Sequence, residues 1–221
     1  MTEKIILCWS GGKDSAMALY ELRKVRRYEV VALLSTVTEE HDRVSMHDVR
    51  RLLLEKQAKE VGLPLEKVTI PKNGRNETYA CRMQAALSKY QREGIRLVAF
   101  GDIFLEDLRQ YRERNLSRLG MKGYFPLWKR DTGELVSDFI DAGFKGIVTC
   151  VDSRVLDKAL LGSPINRRFV SLLPSSVDAC GENGEYHSFV TNGPVFTRGL
   201  TVSCGKVMSR DAFYFCDLVP G

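Results

Sequence analysis

Short apolar runs alternate with helical stripes through the first 120 residues, and each run stops on a turn signal. Ile5-Ile6-Leu7-Cys8-Trp9 is continuously apolar and ends at Ser10-Gly11-Gly12. Ala16, Leu19 and Tyr20 then recur at the spacing of one helix face. Residues 29–35 read as a second buried strand. Residues 45–62 read as a helix, with Ser45 and Asp48 as its start signal and Gly62 as its stop. Residues 64–70 form a third strand. Tyr79, Met83, Ala86, Leu87 and Tyr90 mark a helix, residues 96–100 a fourth strand ending at Gly101-Asp102, and Leu108, Tyr111, Leu116 and Leu119 a further helix. Strands separated by helices of this length need right-handed crossovers. The pattern therefore predicts an α/β fold, a doubly wound, mostly parallel sheet with helices on both faces. Ligands of such sheets bind beyond the carboxyl ends of the strands. Residues 10–15, the segment after Ser35 and Gly101-Asp102 are thus expected at one edge.

The texture changes near residue 122. Gly123-Tyr124-Phe125-Pro126-Leu127-Trp128 reads as a connector, Leu135, Val136, Phe139 and Ile140 as a helix, and residues 146–151 as a strand. From Pro164 the chain reads as loop-rich, with glycines at 181 and 184, and it closes in hairpin strands over 200–207 and 212–219. We expect two parts, 1–122 and a smaller α+β part over 123–221. No low-complexity linker separates them, so tight packing follows.

Between the first strand and its helix stands Ser10-Gly11-Gly12-Lys13-Asp14-Ser15. Glycines let backbone amides approach an anion, the first helical turn offers N–H groups without intrahelical partners, and the helix dipole adds positive charge. Ser10 and Ser15 add hydroxyls and Lys13 a full charge. Asp14 would repel phosphate unless a divalent cation lies between them, so it points to Mg²⁺ and is the candidate metal ligand. The plainer reading is a capped tight turn. The loop is not G-x-x-x-x-G-K-[ST], which excludes a Walker site.

The chain has 221 residues, 33 Lys and Arg against 28 Asp and Glu, and a net charge of +5. This mild excess suits an anionic small ligand and does not make a nucleic-acid binder. Six dispersed cysteines without a C-x-x-C pair, and three histidines, argue against a structural zinc site. No apolar run approaches a membrane span, so a cytoplasmic protein with free thiols is expected.

Ser10-Gly11-Gly12-Lys13-Asp14-Ser15 resembles the S-G-G-x-D-S loop of the PP-loop ATP pyrophosphatases. Gly181-Glu182-Asn183-Gly184-Glu185-Tyr186-His187-Ser188 resembles the G-E-G-G-E-Y-E-T signature of one branch, the diphthine–ammonia ligase family. Gly193-Pro194-Val195-Phe196, Pro126-Leu127-Trp128 and Ser45-Met46-His47 resemble further segments of that branch. Asn183, His187 and the stretch 101–109 depart from the archetype, in the manner of a bacterial-type subgroup. The resemblance implies an ATP-dependent ligase that adenylates a carboxylate, releases pyrophosphate, and forms an amide with ammonia as AMP leaves. The acceptor would be a modified protein histidine or a small-molecule acid, and a homodimer stays open. A tRNA-modifying enzyme using the same loop, and a nucleotide sensor without turnover, are the alternatives.

In this reading Ser10, Gly11, Gly12, Lys13, Asp14, Ser15, His47, Gly101 and Asp102 bind ATP. Asp14, Glu182, Glu185 and His187 are the catalytic candidates. Glu106, Asn183 and Arg112 are the candidates for the acceptor. Each has a structural counterpart: an acidic turn for Glu182 and Glu185, a buried histidine for His187, a helix-start residue for His47, and a helix-start acidic residue for Glu106. Arg112 lies in the basic run of Arg109, Arg112, Arg114, Arg118 and Lys122, whose plainer reading is a solvated helix face.

Overall fold

The structure, a computed structural model, describes residues 2–39, 43–44, 49–71 and 76–221, with the backbone alone at Val44 and Asn76. In chain order the first elements are β1 (Glu3–Cys8), α1 (Lys13–Lys24), β2 (Tyr28–Thr38), β3 (Arg43–Val44), α2 (Arg51–Val61) and β4 (Leu65–Ile70). They are followed by α3 (Asn76–Arg92), β5 (Leu97–Ala99), α4 (Glu106–Ser117) and β6 (Lys122–Tyr124). β4, β2, β1, β5 and β6 lie side by side and all parallel, and β3 adds an antiparallel extension to the end of β2. The chain steps outward from β1 through β2 to β4, then crosses to the other side of β1 for β5 and β6. The order reverses between β1 and β5, and the crevice of a doubly wound sheet opens at that reversal.

β1 alternates across the sheet as a two-sided strand must. Ile5 and Leu7 join a core with Ala16, Leu19 and Leu22 of α1 and Leu53, Leu54 and Val61 of α2. Ile6 joins a second core with Leu87 and Tyr90 of α3 and Leu116 of α4. The helices thus cover both faces, as the alternating pattern predicts.

The remaining elements are α5 (Thr132–Asp141), β7 (Lys145–Asp152), a 3-10 turn (Lys158–Leu160), α6 (Arg167–Ser171), β8 (Tyr186–Asn192), β9 (Val202–Arg210) and β10 (Phe213–Pro220). Their sheet is antiparallel, in the order β8-β7-β10-β9. Phe139, Phe144, Phe189 and Val190 belong to the same core as α1 and α2, so one apolar interior runs through both parts. Among the described residues, no helix is long and apolar enough to cross a membrane.

Three details differ from the sequence expectation. The second helix begins at Arg51, not at 45. Arg50 is extended, bridges to Arg43 in antiparallel fashion, and forks its guanidinium onto Asp217 at 3.0 and 2.6 Å, which holds it out of the helix. Residues 45–48 lie outside the described residues. Lys122–Tyr124, read as connector, is a parallel edge strand on β5. Tyr186–Asn192, read as loop, is the outer strand of the second sheet. Neither is long enough to show a clean period against glycine-rich flanks.

Candidate active site

At the reversal point a cleft of about 350 Å³ opens between the turn after β1, the turn after β5 and the loop before β8. It is lined by Ser10, Gly12, Lys13, Asp14 and Ser15, by Gly101, Asp102 and Arg112, and by Glu182 and His187. The turns after β1 and β5, expected at one ligand edge, meet here with the loop before β8, to which the family resemblance had pointed.

The turn after β1 is braced from behind. Gly11 has φ +80, a left-handed backbone that excludes most side chains. A Cβ there would stand 2.5 Å from Gln57 Oε1 and 3.1 Å from Leu54 Cδ1. Gly11 is therefore needed for the turn and for contact with α2, rather than for room on the cleft side. Its carbonyl accepts from Val190 N at 2.9 Å and from Gln57 Nε2 at 3.0 Å. Gln57 is fully buried. It also accepts from Trp9 Nε1 at 3.0 Å and donates to Val190 O at 2.6 Å, so one amide ties β1, the loop and β8 together. Gly101 approaches from the other side: a Cβ on it would lie 2.9 Å from the Asp14 carbonyl, which is backbone and has nowhere to go.

The expectation that the loop amides all face the ligand is corrected. Gly12 N donates to Ser10 Oγ at 3.2 Å and Lys13 N to Ser188 Oγ of β8 at 3.1 Å. Among the described residues the amides of Gly11, Asp14 and Ser15 make no such bond, and of these Asp14 and Ser15 belong to the cleft lining, so theirs are the N–H groups left for an anion. Ser10 Oγ and Ser15 Oγ lie 3.3 Å apart, and Ser15 Oγ donates to Gly12 O at 2.9 Å.

Lys13 is buried, with its ammonium 2.8 Å from both Asp14 oxygens and 5.3 Å from the Tyr186 ring centroid. Burial works against its charge. The Asp14 carboxylate, with Tyr186 and Cys180, outweighs burial and raises the lysine above its ordinary value. Burial pushes the Asp14 carboxyl up, against the pull of Lys13.

The two glutamates of the glycine-rich loop separate. Glu182 enters the cleft, its Oε1 accepting from Ile103 N at 2.8 Å. Burial, joined by the carboxylates of Asp14 and Asp102, lifts its pKa to about 7, against the Ile103 amide and Lys13. Glu185 does not line the cleft. It is buried, its Oε1 accepts from Asp178 N and Asn183 Nδ2 at 3.0 Å each, and it shapes the loop. Asn183 is exposed and bonded to Glu185, outside the cleft lining. His187 lines the cleft, but burial, helped by Lys13, lowers its pKa to about 4, so its imidazole is neutral at pH 7.

Asp102 is at the cleft but is not an open ligand: Arg112 forks onto it at 2.5 and 3.1 Å, and the guanidinium lies 4.5 Å from the Phe100 ring centroid. The solvated-face reading of the basic run fails for Arg112, which lines the cleft. It fails also for Arg109, whose guanidinium lies over Phe125 and Trp128 at 4.8 and 4.6 Å. Arg114 and Arg118 are exposed. Glu106 is exposed in the first turn of α4, with Leu105 and Leu108 facing the cleft instead. His47 lies outside the described residues.

Gln57 and Ser188 are the site residues that the sequence analysis did not single out. Gln57→Leu keeps the volume but strands Trp9 Nε1–H and the Val190 carbonyl in the core. At about 1–3 kcal/mol for each buried group left unsatisfied, a loss of about 3 kcal/mol is expected. For a domain of this size Tm would fall by about 10 °C. A melting curve within 2 °C of wild type, a margin of about 1 kcal/mol, would show that Gln57 braces nothing.

A doubly wound parallel sheet carrying Ser-Gly-Gly-Lys-Asp-Ser at its reversal point defines a nucleotide-binding α/β protein of the PP-loop class. The chain belongs to the diphthamide synthase family. The family models match in sequence order, the diphthamide synthase N-terminal domain over residues 3–123 and the C-terminal domain over residues 131–218. The diphthine–ammonia ligase of Bos taurus is 29% identical over 131 residues, 57% of this chain and 49% of that protein, so this match spans about half of that relative. The diphthine–ammonia ligase of Rattus norvegicus is 28% identical over 232 residues, covering 92% of this chain and 85% of that protein. Among solved structures, the U34-tRNA thiolase NcsA from Methanococcus maripaludis with its 4Fe-4S cluster aligns with a TM-score of 0.40. Its identity is 18%, over 63% of this chain and 57% of that chain.

Proposed function

We propose that the cleft activates a carboxylic acid with ATP and converts it to an amide with ammonia; the name of the relatives, diphthine–ammonia ligase, supports the ligation to ammonia. The observation that carries this reading is the presence, in one cleft, of an anion loop with Lys13 and of a carboxyl, Glu182, poised near pH 7. A carboxylate oxygen of the acceptor attacks the α-phosphorus, and the bond to the β-phosphate oxygen breaks to release pyrophosphate. Lys13 and the amides of Asp14 and Ser15 meet the charge that grows on the leaving oxygens. Ammonia then attacks the acyl carbon and AMP departs. Glu182 takes the proton that the new C–N bond makes acidic. A base with pKa near 7 suits this task far better than His187, whose pKa near 4 leaves it too weak.

Residues 1–122 supply the ATP site in this reading, and residues 123–221 supply the wall carrying Glu182. Mg²⁺ fits it. Among the described residues no three side chains cluster as a metal site, but Mg²⁺ at a triphosphate asks for one or two carboxylates and takes its other ligands from phosphate and water. Asp14, with 31% of its side chain exposed, is the residue that would hold it. When bound, the ion neutralises charge on the phosphates. Sulfur transfer finds no support: Cys8 lines the cleft and Cys180 lies near Lys13, and burial pushes both thiols to about 12.

The test is incubation with ATP, Mg²⁺, ammonium and a panel of carboxylic acids. AMP and pyrophosphate are expected in equal amounts, and only when an acid and ammonium are both present. ADP and orthophosphate as products, or no turnover with any acid, would overturn the proposal.

A further inference from the structure

The cleft lining holds three serines, Ser10, Ser15 and Ser188, and their hydroxyl protons differ in what they meet. Ser15 Oγ stands 2.9 Å from Gly12 O, and a carbonyl only accepts, so the Ser15 proton points there. Ser10 Oγ accepts from Gly12 N at 3.2 Å and meets Ser15 Oγ at 3.3 Å. With the Ser15 proton committed, Ser10 is the donor of that pair. Ser188 Oγ lies 3.1 Å from Lys13 N, and there the amide donates. The Ser188 proton has no acceptor among the described residues. This hydroxyl is also fixed in place. Ser188 is 4% exposed and sits within β8, opposite Val148 of β7. Two residues on, Val190 N donates to Gly11 O at 2.9 Å, so β8 is bonded to the loop at two points. The hydroxyl is thereby held beside the first amide of α1, where the helix N-terminus and the Lys13 side chain both favour an anion.

From this arrangement we infer that Ser188 binds a phosphate oxygen of the nucleotide, so that the hydroxyl donor of the anion loop comes from β8 and not from Ser10 or Ser15. This rests on reading the cleft as an ATP site. A buried O–H without an acceptor is costly, and a ligand oxygen relieves that cost. Lys13 N–H is occupied by Ser188, yet it is not lost to the site: it polarises the hydroxyl that faces the ligand. The donor set for the phosphates is then the Ser188 hydroxyl, the amides of Asp14 and Ser15, and the Lys13 ammonium. One member of that set is carried by the second part of the chain, on the strand that follows Glu182.

Crystals of the full chain grown with Mg²⁺ and a non-hydrolysable ATP analogue read the contact directly. Ser188 Oγ is expected about 2.7 Å from a phosphate oxygen, with its bond to Lys13 N kept. In solution, calorimetric titration uses ATP and inorganic pyrophosphate, each with Mg²⁺. Ser188→Ala should bind both about tenfold more weakly or worse, and Ser188→Thr, which restores the hydroxyl, should stay within about threefold of wild type. Ser188→Ala also leaves Lys13 N without its acceptor, so adenosine is the control: it brings no phosphate and should bind wild type and Ser188→Ala alike. Every phosphate oxygen lying beyond about 3.5 Å from Ser188 Oγ would overturn the assignment. Pyrophosphate bound equally by Ser188→Ala, or adenosine weakened as much as ATP, would do the same. Nucleotide seated in the cleft away from Ser188 removes this contact and keeps the ATP reading. A phosphate chain on Ser188, in a protein that forms no AMP with any acid, keeps the contact and removes the ligase reading.

Discussion

Lys13→Met is expected to cut AMP formation about a thousandfold and to weaken ATP binding at least about tenfold. The size follows from where the charge sits. The ammonium is the full positive charge at the loop, it is buried, and both Asp14 oxygens lie 2.8 Å from it. Removing it deprives the phosphates of that charge in a site largely screened from water. It also leaves Asp14 without its counter-ion, where burial, joined by Asp178 and Asp102, already pushes its carboxyl up. The carboxyl then shifts further up, which weakens any hold on Mg²⁺. Asp14→Asn removes the carboxylate and keeps the ammonium, so ATP should still bind while turnover falls. Pyrophosphate release and calorimetric titration with ATP separate the two effects. Lys13→Met turning over within threefold of wild type, a difference of well under 1 kcal/mol, would reduce the lysine to a packing residue.

The parts of this site that were readable in the sequence are those set by backbone. A strand, a double glycine and a helix in succession mark the turn at the sheet's edge as the candidate anion loop, and Gly101 at the end of β5 marks the facing turn. The parts that were not readable are set by side chains arriving from elsewhere. Asp102 is where the pattern puts it, but its occupation by Arg112 needs α4 in place. Glu182 and Glu185 look alike within one short motif. Only the folded loop, with Asp178 N and Asn183 gathering Glu185, sends one carboxylate inward and the other to the cleft.

One missed residue, and one left between two readings, carried a signal that could have been used. Leu53, Leu54, Ala58 and Val61 form the buried stripe of α2, and Gln57 falls within it. A polar residue on an apolar stripe must find partners inside the protein, and this one ties three segments together. Arg112 falls between Leu108 and Leu116 on α4, four residues from each. The same reasoning favours its reading as an acceptor-site candidate over the solvated face.

Glu182→Gln is expected to lower amide formation by about a hundredfold or more, by removing the base while keeping its shape. The glutamine carbonyl can still accept from Ile103 N, so the loop should hold its position. In the wild-type protein, activity should rise with pH through about 7 as Glu182 loses its proton, and the variant should lack that limb. Stability runs the other way. The folded carboxyl has its pKa raised from 4.5 to about 7, so between these values the folded state holds a proton that the unfolded chain has released. Stability therefore falls as pH rises through that window, by up to about 3 kcal/mol. Glu182→Gln should escape this fall and melt higher than wild type above pH 7, while the two converge near pH 4. Rate profiles and melting curves over pH 4–9 check both signs in one protein pair. A variant that keeps the acidic limb, or that melts lower than wild type at pH 8, would move the proton-accepting role away from Glu182. A group that makes the fold weaker in the pH range where it makes the chemistry faster is one whose placement a structural role does not explain.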